Sequence, residues 1–184
     1  AEAFEVSHWS LWKVLLGIAI GAVFAGVTAY IGLGSNLGDR SKNLSGAVER
    51  LSRIGTAGAI SVIYETKPWG VDGYQPRYLN QVVAVSTTLD PLEVVTELLG
   101  IEHSLGRSRQ EKNASRTLDL DLLLHGTSIV DASGVSVPHP RLHERAFVLV
   151  PLAEIAPEVV HPVLNRTMFE LAEDADRSGV SLMR

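Results

Sequence analysis

The chain has 184 residues, 46% of them hydrophobic, and its 21 Asp and Glu outnumber its 16 Lys and Arg for a formal net charge of −5. That length suits one domain with an appendage, and the negative balance excludes the broad basic footprint that a nucleic-acid backbone demands. With no cysteine at all, disulfides, thiolate zinc sites and thiol nucleophiles are excluded too, which fits a reducing, cytoplasmic setting.

The N-terminus stands apart from the rest. No charged residue occurs from Val14 through Gly38, and Val14 to Gly26 is almost wholly apolar; a span of about 20 such residues crosses a bilayer as a helix. Trp9 and Trp12 lie at one end, where interfacial aromatics belong, and Gly17, Gly21 and Ala25 form a small-residue ridge for another membrane helix. Three readings compete. Glu2 and Glu5 oppose a cleaved signal peptide, and an apolar surface all round opposes a buried amphipathic helix. The favoured reading is an apolar helix over residues 1–26 that anchors a cytoplasmic domain over 27–184, with membrane or membrane-protein contact through residues 11–26. Geometry objects, because Val27 to Leu33 reads as a central strand and leaves essentially no linker.

Beyond that point short strands and helices alternate. Asp39 and Ser41 start a helix through about Arg53, with Leu44, Ala47, Val48 and Leu51 as its apolar face. Ala59 to Thr66 is a second strand. Lys67 to Arg77 holds two prolines and two glycines and so forms a loop, long enough to be a lid. Tyr78 to Thr88 is a third strand, and Pro91 opens a helix to about Leu105 along Leu92, Val95, Leu98, Leu99 and Glu102. A hairpin is expected around Asp131 to Gly134. This order predicts an α+β, ferredoxin-like sandwich, a mainly antiparallel sheet with helices on one side.

The chemistry gathers in Arg116-Thr117-Leu118-Asp119-Leu120-Asp121. Residues i and i+2 of a strand share a face, so Asp119 and Asp121 stand side by side, and two carboxylates that close repel. A divalent cation removes the conflict; Mg²⁺ is commonly held by one or two carboxylates with substrate phosphates completing its shell. The alternative is one Asp capping a turn and the other paired with an arginine. Arg107, Arg109 and Arg116 precede or open the run, and Val137-Pro138-His139-Pro140 and Arg141 to Arg145 follow it. Taken singly these are solvated charges; clustered, guanidinium groups suit bidentate phosphate recognition.

From about Val27 onward the chain resembles the 6-hydroxymethyl-7,8-dihydropterin pyrophosphokinase family of folate biosynthesis. The resemblance lies in Tyr30 to Asp39, Tyr64 to Gly70, Tyr78-Leu79-Asn80, Gly106 to Arg109, Arg116 to Asp121, Val137 to Pro140 and Arg145-Ala146-Phe147, in the family's order. It implies transfer of pyrophosphate from ATP to the pterin hydroxymethyl oxygen, releasing AMP, with no protein nucleophile. Asp119 and Asp121 are then expected to hold two Mg²⁺ ions, while Arg107, Arg109, Arg116, His139 and Arg145 address the triphosphate of the co-substrate ATP. Tyr78 and Phe147 would stack on the two pterin faces, and Asn80 with groups near Thr66, Lys67 and Trp69 would hydrogen-bond its edge. The small molecules ATP and pterin are the implied partners.

Two positions depart from the pattern. Many members carry Trp-Gly-Pro before the arginine of the Asp strand, where this chain has Asn113-Ala114-Ser115, so a lid aromatic is missing; and Pro140 supplies no side-chain hydroxyl after His139. A second reading makes the chain a single-helix membrane subunit of a larger complex, its kinase domain tethered or idle. The presence of Asp119, Asp121, Arg107, Arg109 and His139 argues against idleness.

Overall fold

A strand rich in β-branched and apolar residues, Val27–Ser35 (β1), runs through the middle of the computed structural model, which describes residues 26–68, 75–106, 116–132 and 134–183. β1 pairs antiparallel along its whole length with Tyr78–Thr87 (β4), from Val27 opposite Thr87 to Ser35 opposite Leu79. On its other side lies Asp119–His125 (β5), also antiparallel. Beyond β4 come Thr56–Ile60 (β2) and Tyr64–Thr66 (β3), and the short strand Val180–Leu182 (β8) adds to β3.

Side-chain alternation on β1 sends Ala29, Ile31 and Leu33 to one face, where they are buried against Leu44, Ala47 and Leu51 of the Arg40–Arg50 helix (α1) and its 3-10 extension. Val94, Leu98 and Ile101 of the Pro91–Ser104 helix (α2) complete that core. On the opposite face, Val82, Leu123 and Leu124 meet Val148, Leu149 and Leu152 of Ala146–Ile155 (α3) and Met168 and Leu171 of Met168–Asp174 (α4). A register shift opposite Tyr30 and Ile31 makes this possible, since it turns both Leu123 and Leu124 toward the second core.

The sheet is therefore antiparallel as expected, but helices cover both faces, which corrects the one-sided ferredoxin-like sandwich. The second layer comes from residues after Phe147, where the sequence reading placed no element. Two further differences have local causes. The strand expected over Ala59 to Thr66 is split, because the Ser61 hydroxyl accepts the Val82 N–H at 3.0 Å and the Val62 N–H turns out to the Glu154 carboxylate at 3.1 Å. In α2, Leu92 and Leu99 are exposed and the buried row is Val94, Leu98, Ile101 and Glu102; one stripe faces the sheet, and it is the one that carries the Glu102 carboxylate to the Leu120 N–H at 2.7 Å.

Helix starts follow their signals. Asp39 caps α1 by accepting from the Lys42 N–H, and Asp90 and Glu93 form a reciprocal capping box on α2. The expected hairpin is Val130–Ala132 (β6) with Val135–Val137 (β7), and Gly134 between them takes a φ of +80° that favours glycine. Among the described residues no helix is long and apolar enough to cross a membrane. The N-terminal segment, residues 1–25, lies outside the described residues.

Candidate active site

Among the described residues β5 is the outermost strand of the sheet, and its register on β1 sets Asp119 opposite Gly34 and Asp121 opposite Gly32. Alternation puts both carboxylates on the α3 side, as the i, i+2 spacing predicts. The glycines opposite them leave open floor: a Cβ on Gly34 would lie 3.3 Å from Asn80 Oδ1 and 3.8 Å from the Asp119 Cβ, and one on Gly32 would press on Leu123 at 3.3 Å. The floor is a cavity of about 170 Å³, lined by Thr66, Lys67, Tyr78, Asn80 and Phe147 on one flank and by Arg116, Asp119, Asp121 and Arg145 on the other.

The polar groups of this cavity are oriented from behind. Asn80, buried on β4, donates its amide to Thr66 Oγ1 at 2.7 Å, which leaves its carbonyl oxygen facing Gly34. Tyr78 precedes it by two residues, and burial raises the Tyr78 phenol above its ordinary range, so it stays neutral. The Arg145 guanidinium lies 5.6 Å from the Phe147 ring centre, and burial lowers its proton affinity. Lys67 donates its backbone N–H to the Gly179 carbonyl, so the strand β8 backs the start of the loop.

A second cavity, about 400 Å³, opens on the other side of the Asp pair. α2 contributes Leu98, Leu99 and Glu102 to it, the β6–β7 hairpin Val135 and Ser136, and the segment after β7 His139 and Pro140; Arg116, Asp119 and Asp121 line both cavities. His139 is placed by its N–H, which donates to the Leu123 carbonyl. Its Nε2 lies 4.0 Å from Asp121 and 3.5 Å from the Arg145 guanidinium. Burial first, and the Arg145 charge second, lower its pKa to about 4, so the ring is neutral at physiological pH.

The two carboxylates are balanced by cations. Arg116 donates to Asp119 Oδ2 at 2.6 Å, and Arg145 stands 3.5 Å from Asp121 Oδ2. Among the described residues no cluster of three or more His, Asp and Glu forms a closed metal cage. Two carboxylate donors at a cavity mouth fit a hard cation whose shell is finished by phosphate oxygens and water.

Of the residues expected from the sequence, Arg116, Asp119, Asp121, Arg145, Thr66, Lys67, Tyr78, Asn80 and Phe147 line one cavity, and His139 adjoins them from the other. Trp69, Arg107 and Arg109 lie outside the described residues. Four contributors were missed. Gly32 and Gly34 repeat at i and i+2 on a strand, a signal that was there to read. Glu102, in an apolar helix face, holds the β5 edge. Asn36 accepts the Arg116 N–H at 2.6 Å and donates to the Pro76 carbonyl at 3.4 Å, tying the residues before β5 to those before β4.

The family model for 7,8-dihydro-6-hydroxymethylpterin-pyrophosphokinase matches residues 30–157. Among similar curated proteins, the 2-amino-4-hydroxy-6-hydroxymethyldihydropteridine pyrophosphokinase of Methylorubrum extorquens is 43% identical over 156 residues, covering 83% of this chain and 96% of its own. Its namesake from Synechocystis sp. is 40% identical over 154 residues, covering 83% of this chain and 78% of its own. The Plasmodium falciparum HPPK-DHPS wild-type structure with pteroate aligns with a TM-score of 0.65 at 16% identity, over 80% of this chain; this chain spans 42% of that longer one, and the likeness is one of fold.

Proposed function

The chain belongs to the 7,8-dihydro-6-hydroxymethylpterin-pyrophosphokinase family, and on that premise we infer that it transfers the pyrophosphoryl group of ATP to the hydroxymethyl oxygen of 6-hydroxymethyl-7,8-dihydropterin, releasing AMP. The observation that carries the assignment is the meeting of two unlike cavities at one pair of carboxylates. The flat pterin takes the cavity of Tyr78, Phe147, Asn80 and Thr66, where two aromatic rings offer stacking faces and Asn80 offers an in-plane hydrogen bond. ATP takes the larger cavity of Leu98, Leu99 and Val135, with its phosphates toward Arg116 and His139.

In the reaction the pterin oxygen bonds to the β-phosphorus, the bond from that phosphorus to the oxygen it shares with the α-phosphorus breaks, and the hydroxyl proton is lost. Little covalent chemistry falls to the protein, so its contribution is alignment and charge. Asp119 and Asp121 would hold Mg²⁺, two ions by the family's pattern, which supplies charge neutralisation on the phosphates. Arg116 and Arg145, each beside one of these carboxylates, meet the phosphate oxygens as they pass between the cavities. His139, kept neutral, donates from Nε2 without adding a charge that would compete with metal binding. By the family resemblance Trp69, for the pterin, and Arg107 and Arg109, for the triphosphate, complete the proposed set.

The test is AMP release from ATP measured with and without the pterin. Stoichiometric AMP and pterin diphosphate are expected, abolished by chelation. ADP as the product, or AMP release indifferent to pterin, would overturn the assignment.

A further inference from the structure

We propose that Arg141 grips the diphosphate of the reaction product on the pterin side of the Asp pair, an inference that rests on the transfer just described. Arg141 and Arg145 line the pterin-side cavity and are not among the residues lining the nucleotide side, whereas Arg116 lines both. Transfer carries a diphosphate from the second cavity into the first, so cations confined to the first meet that group after it has crossed.

The two arginines are held differently. Arg145 is mostly buried, wedged between Asp121 and His139, so its charge is already committed to the centre. Arg141 is half-exposed, and its Nε donates to Glu144 at 3.1 Å in a pair whose partners are 51% and 47% exposed. Such a surface pair contributes little and is exchanged for a phosphate at small cost. The base of the side chain does not wander, because the Arg141 backbone N–H donates to His139 Nδ1 at 3.1 Å. Its charge is also felt in the centre, where it adds to the forces that lower the proton affinities of His139 and Arg145. A half-exposed guanidinium on a fixed root, at the rim where the product's anion ends, is suited to holding that anion.

Equilibrium titration of the Arg141→Gln enzyme with the pterin diphosphate and with the pterin alcohol separates this role from general support of the pocket. Loss of one charge-assisted hydrogen bond weakens product affinity about tenfold, while affinity for the alcohol stays within about twofold. Product affinity that is unchanged, or that falls no more than affinity for the alcohol, overturns the proposal. Glu144→Gln leaves Arg141 in place and removes the carboxylate charge that competes with phosphate for it, and product binding should tighten about twofold; weaker product binding there also overturns it. Wild-type AMP release is read in parallel. Its absence strikes the pyrophosphokinase assignment itself, whereas normal wild-type turnover beside an indifferent Arg141→Gln strikes this inference alone.

Discussion

On the side of Asp119 and Asp121 proposed for the pterin the wall is the sheet itself, two glycines of β1 with Tyr78 and Asn80 of β4; on the side proposed for the nucleotide it is a helix face, a hairpin and the edge of β5. The first wall is built of residues fixed by backbone ladders on both sides, and its polar groups are buried and hydrogen-bonded from behind. The second mixes apolar side chains with charged ones, and its edge is held from outside the sheet by the Glu102 carboxylate on the Leu120 N–H and by the His139 N–H on the Leu123 carbonyl. A ligand read by a buried hydrogen-bond pattern is discriminated sharply, since a mismatch leaves polar groups unpaired; one held by charge and apolar contact is discriminated mostly by its phosphates.

The carboxylates belong to both sides, so breaking them breaks the comparison altogether. Asp121→Ala should lower turnover by about three orders of magnitude or more with the fold intact, because no water replaces a carboxylate ligand at the same geometry. AMP release at moderate Mg²⁺, with circular dichroism as the fold control, checks this. Near-normal turnover would remove the metal role.

Asn80→Ala should act on one side only. The KM for pterin is expected to rise about a hundredfold while the KM for ATP changes by less than about threefold, since a lost in-plane hydrogen bond costs its substrate alone. Steady-state kinetics with each substrate varied in turn gives the two numbers. Equal rises would dissolve the distinction between the cavities.

Glu102 tests the opposite wall. Removing its carboxylate in Glu102→Ala strands the buried Leu120 N–H at a cost of about 1–3 kcal/mol, and the melting temperature should fall by about 5 °C. Glu102→Gln keeps an acceptor oxygen and should recover most of the loss. If both variants melt together, the hydrogen bond is not what holds the edge.

The smallest effect is one of pH. His139 titrates near 4 in the folded chain and near its ordinary 6.5 when unfolded, so as pH falls the unfolded state takes the proton first. The stability this represents is complete above pH 6.5 and is lost as pH falls toward 4. Wild-type protein should therefore lose more of its melting temperature between pH 7 and pH 5 than His139→Gln does. Parallel loss in the two would mean that His139 is not held deprotonated.

The Asp pair was legible because its spacing fixes its face whatever the partner strands are. The wall of Tyr78, Asn80 and Phe147 was not legible from pattern alone. Tyr78, Asn80 and Phe147 look like core residues in isolation, and only the register of β1 against β4 and β5 turns them toward Asp119. The resemblance to a family named them, where periodicity could not. The one-sided sandwich failed for a related reason: no element was assigned after Phe147, although Thr167 and Glu170 form a capping box that opens α4. Leu92 and Leu99 misled because the expected row on α2 was only partly right: its Leu98 and Glu102 are buried, but beside Val94 and Ile101, while Leu92 and Leu99 turn outward.

The exposed position of β5 at the sheet margin has a stereochemical consequence. A strand with neighbours on both sides would close off one approach to its carboxylates; a marginal one leaves them reachable from two opposed directions. On the proposed assignment, acceptor and departing AMP would stand on opposite sides of the reacting phosphorus, and each turnover would displace once with no protein-bound intermediate. ATP made chiral at its β-phosphorus by isotopic oxygen should yield a pterin diphosphate of inverted configuration at that centre.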